Sequence, residues 1–276
     1  MEKRIQTHTK NTPWRRPRGA AGRRGWVPAW HGAWAMLIMP PAAGIILSGF
    51  KIPQLALLGF WWFGYFAFYP FTLFLKTRFR RCFLRPFAVY AAVCILCGAP
   101  LVFCFPRVLC AAAVFLPLIL ISCFCSWKRM ERSLLNDSVT VLAACLILFV
   151  FYALGAHRSP LMWAVLAFCS FACYFLGTVG YVKTNIRNRN SLPWLAASVS
   201  FHLFSLILIV SLCSAARISP AVTAAHFLFW AVLLLRSAAV PLYGRRHGWL
   251  RPRVIGLTEL AFCIVLFVLV LCGFCV

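Results

Sequence analysis

Long apolar stretches broken by short basic loops set the rhythm of this chain. Nine such stretches occur, at residues 33–50, 54–75, 87–105, 108–126, 138–155, 160–182, 193–213, 219–241 and 254–275. Each approaches the ~20 apolar residues a helix needs to cross a bilayer core. None alternates strictly between polar and apolar positions, which argues against a β-barrel. In lipid an α-helix satisfies its own backbone hydrogen bonds. The pattern predicts an all-α, polytopic transmembrane helix bundle of about nine spans. The first and third stretches are short or edged by proline, so their ends are the least defined.

The basic residues sort themselves by side across these spans. One side receives Lys3, Arg4, Lys10, Arg15, Arg16, Arg18, Arg23 and Arg24, then the loops "KTRFRRCFLR", "WKRMER", "KTNIRNR" and "GRRHGWLRPR". The other receives Lys51, Arg107, Arg158 and Arg217, while Arg236 falls within a span. Cytoplasmic loops carry the excess of Lys and Arg. The expectation is a cytoplasmic N-terminus, an external C-terminus and a multi-pass location in the bacterial plasma (inner) membrane. Residues 1–28 read as a basic, disordered cytoplasmic tail, and 29–276 as a single transmembrane helical domain. The first apolar stretch contains Pro40 and Pro41 and lacks a small-x-small cleavage site, unlike a secretory signal. No internal repeat is evident.

Composition agrees with the pattern. Hydrophobic residues make up 63% and charged residues 12%, against about 25% charged in soluble domains. The net charge of +24 would suggest nucleic acid in a soluble protein. Here the charges lie between apolar runs, so the expected partners are the lipid bilayer and anionic phospholipid headgroups, with no nucleic acid. Fourteen cysteines lie almost wholly inside apolar runs. Cys94 with Cys97, and Cys272 with Cys275, have CxxC spacing but lack the second pair and polar shell of a zinc site. They read as small hydrophobes; neither metal nor cofactor is expected.

A few polar residues are not explained by lipid. Arg236 lies about five residues before the end of its predicted span, and Glu259 about five after the start of the next. Both would sit ~8 Å deep, level with one another, as a structural ion pair on neighbouring antiparallel helices. In "SWKRMERSLLNDSVTV", Asn136, Asp137 and Ser138 suit the N-cap of a helix, and Glu131 could pair with Arg132 or Lys128 or serve a site. In "FLGTVGYVKTNIRNRN", Lys183 and Arg187 are four apart and share a helix face. Thr178 and Tyr181 precede them, and Gly177 and Gly180 permit close approach, which together form a cradle for a phosphate or carboxylate. Ser198, His202 and Ser205 form one stripe of a helix. His31 lies between Trp30 and Trp34 at the mouth of the first span, on the same side as the others. His31, Glu131, Asn136, Asp137, Lys183, Arg187, Ser198 and His202 are the candidates for binding a small anionic ligand. No catalytic residue is assigned.

The same stretches resemble the YwiC-like family of bacterial integral membrane proteins. The resemblance runs from "HGAWAMLIMP" through "ERSLLND", "GTVGYVKTNIRNR" and "SVSFH" to "RPRVIGLTE". It implies a polytopic membrane protein and carries no assigned biochemical activity. Three further readings stand beside an anion-binding membrane protein, one of them a non-catalytic membrane subunit whose basic loops and tail dock a partner. Another is a small-anion transporter or permease, for which Gly and Pro within spans would be useful. The third is a lipid-modifying enzyme similar to UbiA-type prenyltransferases. Those enzymes hold magnesium diphosphate with two Asp-rich motifs. "ERSLLND" is at best a remnant of one, and "YVKTNIRNR" places cations where the second would be.

Overall fold

The computed structural model describes residues 25–28, 32–156 and 159–273. The described residues form nine α-helices: α1 Ala33–Ser48, α2 Ile52–Lys76, α3 Leu84–Cys104, α4 Leu109–Trp127, α5 Leu134–Leu154, α6 Leu161–Ile186, α7 Leu192–Ala215, α8 Pro220–His247 and α9 Pro252–Cys272. Eight of these segments are long and apolar enough to cross a membrane. Helix α1 has 16 residues, about 24 Å at the usual helical rise, short of a ~30 Å hydrocarbon core.

The helix limits depart from the predicted spans in an instructive way. Helix α6 continues to Ile186 and α8 to His247. Lys, Arg and Asn end an apolar stretch, but lysine and arginine are good helix formers, so the backbone keeps winding. Helix α5 starts earlier than predicted, at Leu134. Its N-cap is Ser133, whose side chain accepts the Asn136 N–H at 3.2 Å. The capping role expected of Asn136, Asp137 and Ser138 therefore belongs to Ser133, and Asn136 and Asp137 sit inside the first turns.

Helices α5 and α6 form the centre. Protein covers 56% of the most apolar window of α6, against 11% for α3 and for α4. Cys145, Leu148, Phe171, Ile209, Leu233 and Leu266 meet in the main core. Leu57, Leu101, Ile147 and Phe151 form a second, smaller one between α2, α3 and α5. Helix α1 lies directly against α5. A Cβ at Gly44 would stand 2.6 Å from the Leu148 carbonyl oxygen, so only glycine lets the two backbones approach this closely.

Polar contacts tie one end of this bundle. Gln54 Nε2 donates to the Phe151 carbonyl at 2.9 Å and to Ser48 Oγ at 3.1 Å. The Ala156 N–H reaches the Gly49 carbonyl at 3.2 Å, and Ser159 Oγ reaches the Leu47 carbonyl at 2.8 Å. The α1–α2 and α5–α6 connections thus meet at one end, and α1 runs parallel to α5. At the opposite end Lys76 pairs with Glu131 at 2.9 Å. There too Lys183 Nζ donates to the Arg132 carbonyl at 3.1 Å, and the Arg189 guanidinium lies 5.3 Å from the Trp249 ring centre. These contacts join the α2–α3, α4–α5, α6–α7 and α8–α9 connections into one basic end. Fifteen Lys and Arg residues belong to it, against Lys51, Arg107 and Arg217 among the described residues of the other end.

Candidate functional site

At the basic end, α5 and α6 place opposite charges face to face. Asp137, in the first turn of α5, pairs with Lys183 of α6 at 2.7 Å, and the lysine side chain is only 10% exposed. The same ammonium donates to the Arg132 carbonyl, which also accepts from Arg187 Nη1 at 3.3 Å. Beside this knot lies a depression of about 320 Å³ lined by Arg132, Asp137, Thr178, Lys183 and Arg187, with Val179, Val182 and Ile186 as its apolar wall. Thr178, Val182 and Lys183, and likewise Val179, Ile186 and Arg187, recur at helical spacing on one flank of α6. Three cations therefore border the space against one carboxylate.

Thr178 links this depression to a second polar group deeper in the bundle. Its hydroxyl donates to Glu259 Oε2 at 2.8 Å. Tyr174 donates to the Glu259 carbonyl at 2.6 Å, with Glu259 Oε2 a further 3.2 Å contact. Arg236 Nη1 forms an ion pair with Glu259 Oε1, and the two side chains are 9% and 10% exposed. The guanidinium is held between two aromatic faces, 4.2 Å from the Tyr181 ring centre and 4.7 Å from that of Phe262. Its Nε and Nη2 have no hydrogen-bond partner among the described residues. Because α8 runs on to His247, Arg236 stands eleven residues before the helix end, rather than the five reckoned from the predicted span.

The remaining candidates occupy different settings. Both ends of the Asn136 amide are engaged. Oδ1 accepts from Ser122 at 2.8 Å and Nδ2 donates to the Glu131 carbonyl at 2.8 Å, which pins α4 and the following loop to α5. The Glu131 carboxylate pairs with Lys76, not with the Arg132 or Lys128 expected from proximity in sequence. Ser198, His202 and Ser205 do share a buried stripe of α7, but it packs against α6. His202 Nδ1 is 2.7 Å from the Ser198 carbonyl. A Cβ at Gly177 would lie 3.1 Å from His202 Nε2, and one at Gly180 would lie 3.8 Å from Ser198 Oγ. None of the three lines the depression. His31 lies outside the described residues. Arg132 is the lining residue the sequence did not single out; its proximity to Lys183 comes from the fold of the α4–α5 loop. Gln54, fully buried, was likewise missed, although a lone glutamine in an apolar stretch was a signal.

Comparison with known proteins gives this geometry a family. A profile described as YwiC-like protein matches residues 27–152, through most of α5. The uncharacterized protein YwiC of Bacillus subtilis (strain 168) is 34% identical over 179 residues, which cover 64% of this chain and 74% of that protein. An uncharacterized protein of Haemophilus influenzae is 26% identical over 189 residues, 66% of this chain and 76% of its own length. No solved structure matches the chain. By the identity and extent of the Bacillus match, by the profile over its first half and by its bundle of apolar helices, this multi-pass membrane protein belongs to the YwiC-like family.

Proposed function

We propose that this protein resides in the bacterial inner membrane with its basic end in the cytoplasm, and that the depression between α5 and α6 binds an anionic, phosphate-bearing ligand. The observation that carries this reading is the excess of cations around the space, Arg132, Lys183 and Arg187 against Asp137 alone. Asp137 anchors Lys183 from one side and the Arg132 carbonyl anchors it from another. Arg132 and Arg187 are exposed, and the planar guanidinium fork suits the oxygens of a phosphate. The orientation is supported by the concentration of Lys and Arg at that end. A phospholipid headgroup and a soluble phosphorylated metabolite share the required chemistry.

The test compares small molecules that co-purify with the wild type and with an Arg132→Ala/Arg187→Ala variant, by mass spectrometry of the organic and aqueous extracts separately. Both side chains are exposed, so the variant keeps the Asp137–Lys183 and Arg236–Glu259 pairs. A phosphate-bearing species held by the wild type and depleted from the variant is the expected result. Its appearance in the organic phase identifies a lipid, and in the aqueous phase a metabolite. An identical complement in both proteins would overturn the proposal and leave these residues as determinants of orientation.

A further inference from the structure

The opposite end of the bundle carries a second opening with different chemistry. Helix α4 buries only Ser122, Cys125 and Ser126, all near its C-terminus. There Ser122 bonds to Asn136 of α5. Toward its N-terminus, beyond Pro117, α4 buries no residue, and a crevice of about 750 Å³ lies between it and α5. The pair is closed at the basic end and open at the other. A proline inside a helix removes one backbone hydrogen bond and bends the axis, and Pro117 separates the buried C-terminal part of α4 from an N-terminal part where Phe115 is only partly buried against the second core.

The crevice walls are apolar: Ala111, Val114 and Phe115 on α4 face Phe149, Val150 and Leu154 on α5. At its mouth stand Lys51 and Arg107. These are two of the three cations among the described residues of this end, the third being Arg217. Both are exposed, and neither makes an ion pair among the described residues. An apolar cleft between membrane-spanning helices, with paired cations where the hydrocarbon meets the headgroups, matches the chemistry of one kind of molecule. We propose that this crevice is a binding site for an anionic phospholipid of the outer leaflet, with an acyl chain between α4 and α5 and the headgroup phosphate between Lys51 and Arg107. The volume lies within the ~300–1,000 Å³ that ligand sites commonly span. The site is separate from the one between α5 and α6, which lies at the other end of the molecule; its assignment to the outer leaflet rests on the orientation proposed above.

The experiment uses the full-length protein in vesicles carrying either phosphatidylglycerol or phosphatidylcholine with a photoreactive acyl chain, followed by peptide mapping of the crosslinks. Labelling of the 105–115 and 146–154 segments by phosphatidylglycerol in preference to phosphatidylcholine is expected. Each cation near an anionic lipid contributes about fivefold, so the preference reaches at most ~30-fold. Lys51→Gln/Arg107→Gln, at exposed positions, should bring the two lipids level. An Ala111→Trp variant, which fills the crevice, should lower labelling there by both lipids. Equal labelling of the wild type by the two lipids would overturn the proposal. So would crosslinks spread evenly over the exposed faces of α3 and α4, or a protein–protein crosslink showing that a second copy fills the cleft.

Discussion

Replacement of Arg236 or Glu259 by leucine, singly and together, tests the buried ion pair between α8 and α9. Arg236→Leu leaves the Glu259 carboxylate inside the protein with only Thr178 and Tyr174 as donors. Glu259→Leu leaves a guanidinium whose Nε and Nη2 already lack acceptors among the described residues and whose Nη1 then loses its carboxylate. Breaking a buried pair from one side costs about 3–5 kcal/mol, and the side-chain exposures of 9% and 10% give solvent little room to screen that cost. The arginine variant also loses two aromatic contacts, on the order of 0.5–2 kcal/mol. In the double variant no charge is left at this position. Tyr174 keeps the backbone carbonyl of residue 259, and Thr178 can turn to the carbonyl four residues before it. Exchange of a whole buried pair for apolar side chains is often neutral or stabilising. The double variant should therefore lose no more than about 2 kcal/mol, against about 6–10 kcal/mol for the two single losses added. Unfolding of the purified protein in detergent, followed by size-exclusion chromatography after a heat step, measures this. Each single change should lower the midpoint by ~10 °C if a kilocalorie is worth about 2–4 °C. Losses that add within ~0.5 kcal/mol would show that the two residues do not act as a pair.

Other outcomes follow from the fold and from the proposed orientation. With a single retained cysteine, an impermeant maleimide applied to intact cells should modify Cys104 and spare Cys82, both of them exposed, with Cys82 reacting only after permeabilisation. The reverse pattern would invert the orientation, and outside labelling at any of 76–85, 127–137, 183–191 or 243–253 would break the topology. Gly44→Ala should cost ~1–3 kcal/mol by overpacking, because its Cβ would meet backbone of α5 at 2.6 Å; folded yield after detergent extraction reads this out. Gly256→Ala, with nothing within 4 Å, should instead gain up to ~1 kcal/mol from helix propensity. A loss at Gly256 equal to that at Gly44 would refute the packing of α1 on α5.

The helices were legible because lipid imposes one period and one length on everything that crosses it. What escaped was decided by polar atoms whose partners lie far along the chain. Helix α8 outlasts its apolar stretch because Arg245, Arg246 and His247 are as content in a helix as in a loop. Ser133 takes the cap of α5 from a run of three equally suitable residues, a choice of register that composition cannot make. Glu131 passes over two neighbouring cations for Lys76 at the end of α2, since the α4–α5 loop turns it toward that helix. The level approach of Arg236 and Glu259 needed only two antiparallel neighbours. The aromatic faces of Tyr181 and Phe262 around the guanidinium needed α6 as well, which no count of residues from a helix end could supply.

The few acids explain why so cationic a chain holds one arrangement. Three of the four lie among the described residues, and each binds a cation on another element: Glu131 with Lys76, Asp137 with Lys183, and Glu259 with Arg236. The pairs become less exposed in that order, from 44% and 24% at the surface to 9% and 10% inside. Apolar side chains gain little by leaving lipid for one another, so helix association in a membrane leans on packing and on polar links of this sort. A surface pair contributes little by itself, whereas a buried one constrains which helices are neighbours. The acids thus serve the interior arrangement, and thirteen of the fifteen cations at the basic end have no carboxylate to answer them among the described residues. That unanswered excess is the premise of the anionic ligand proposed above, since juxtamembrane Lys and Arg are attracted to anionic headgroups.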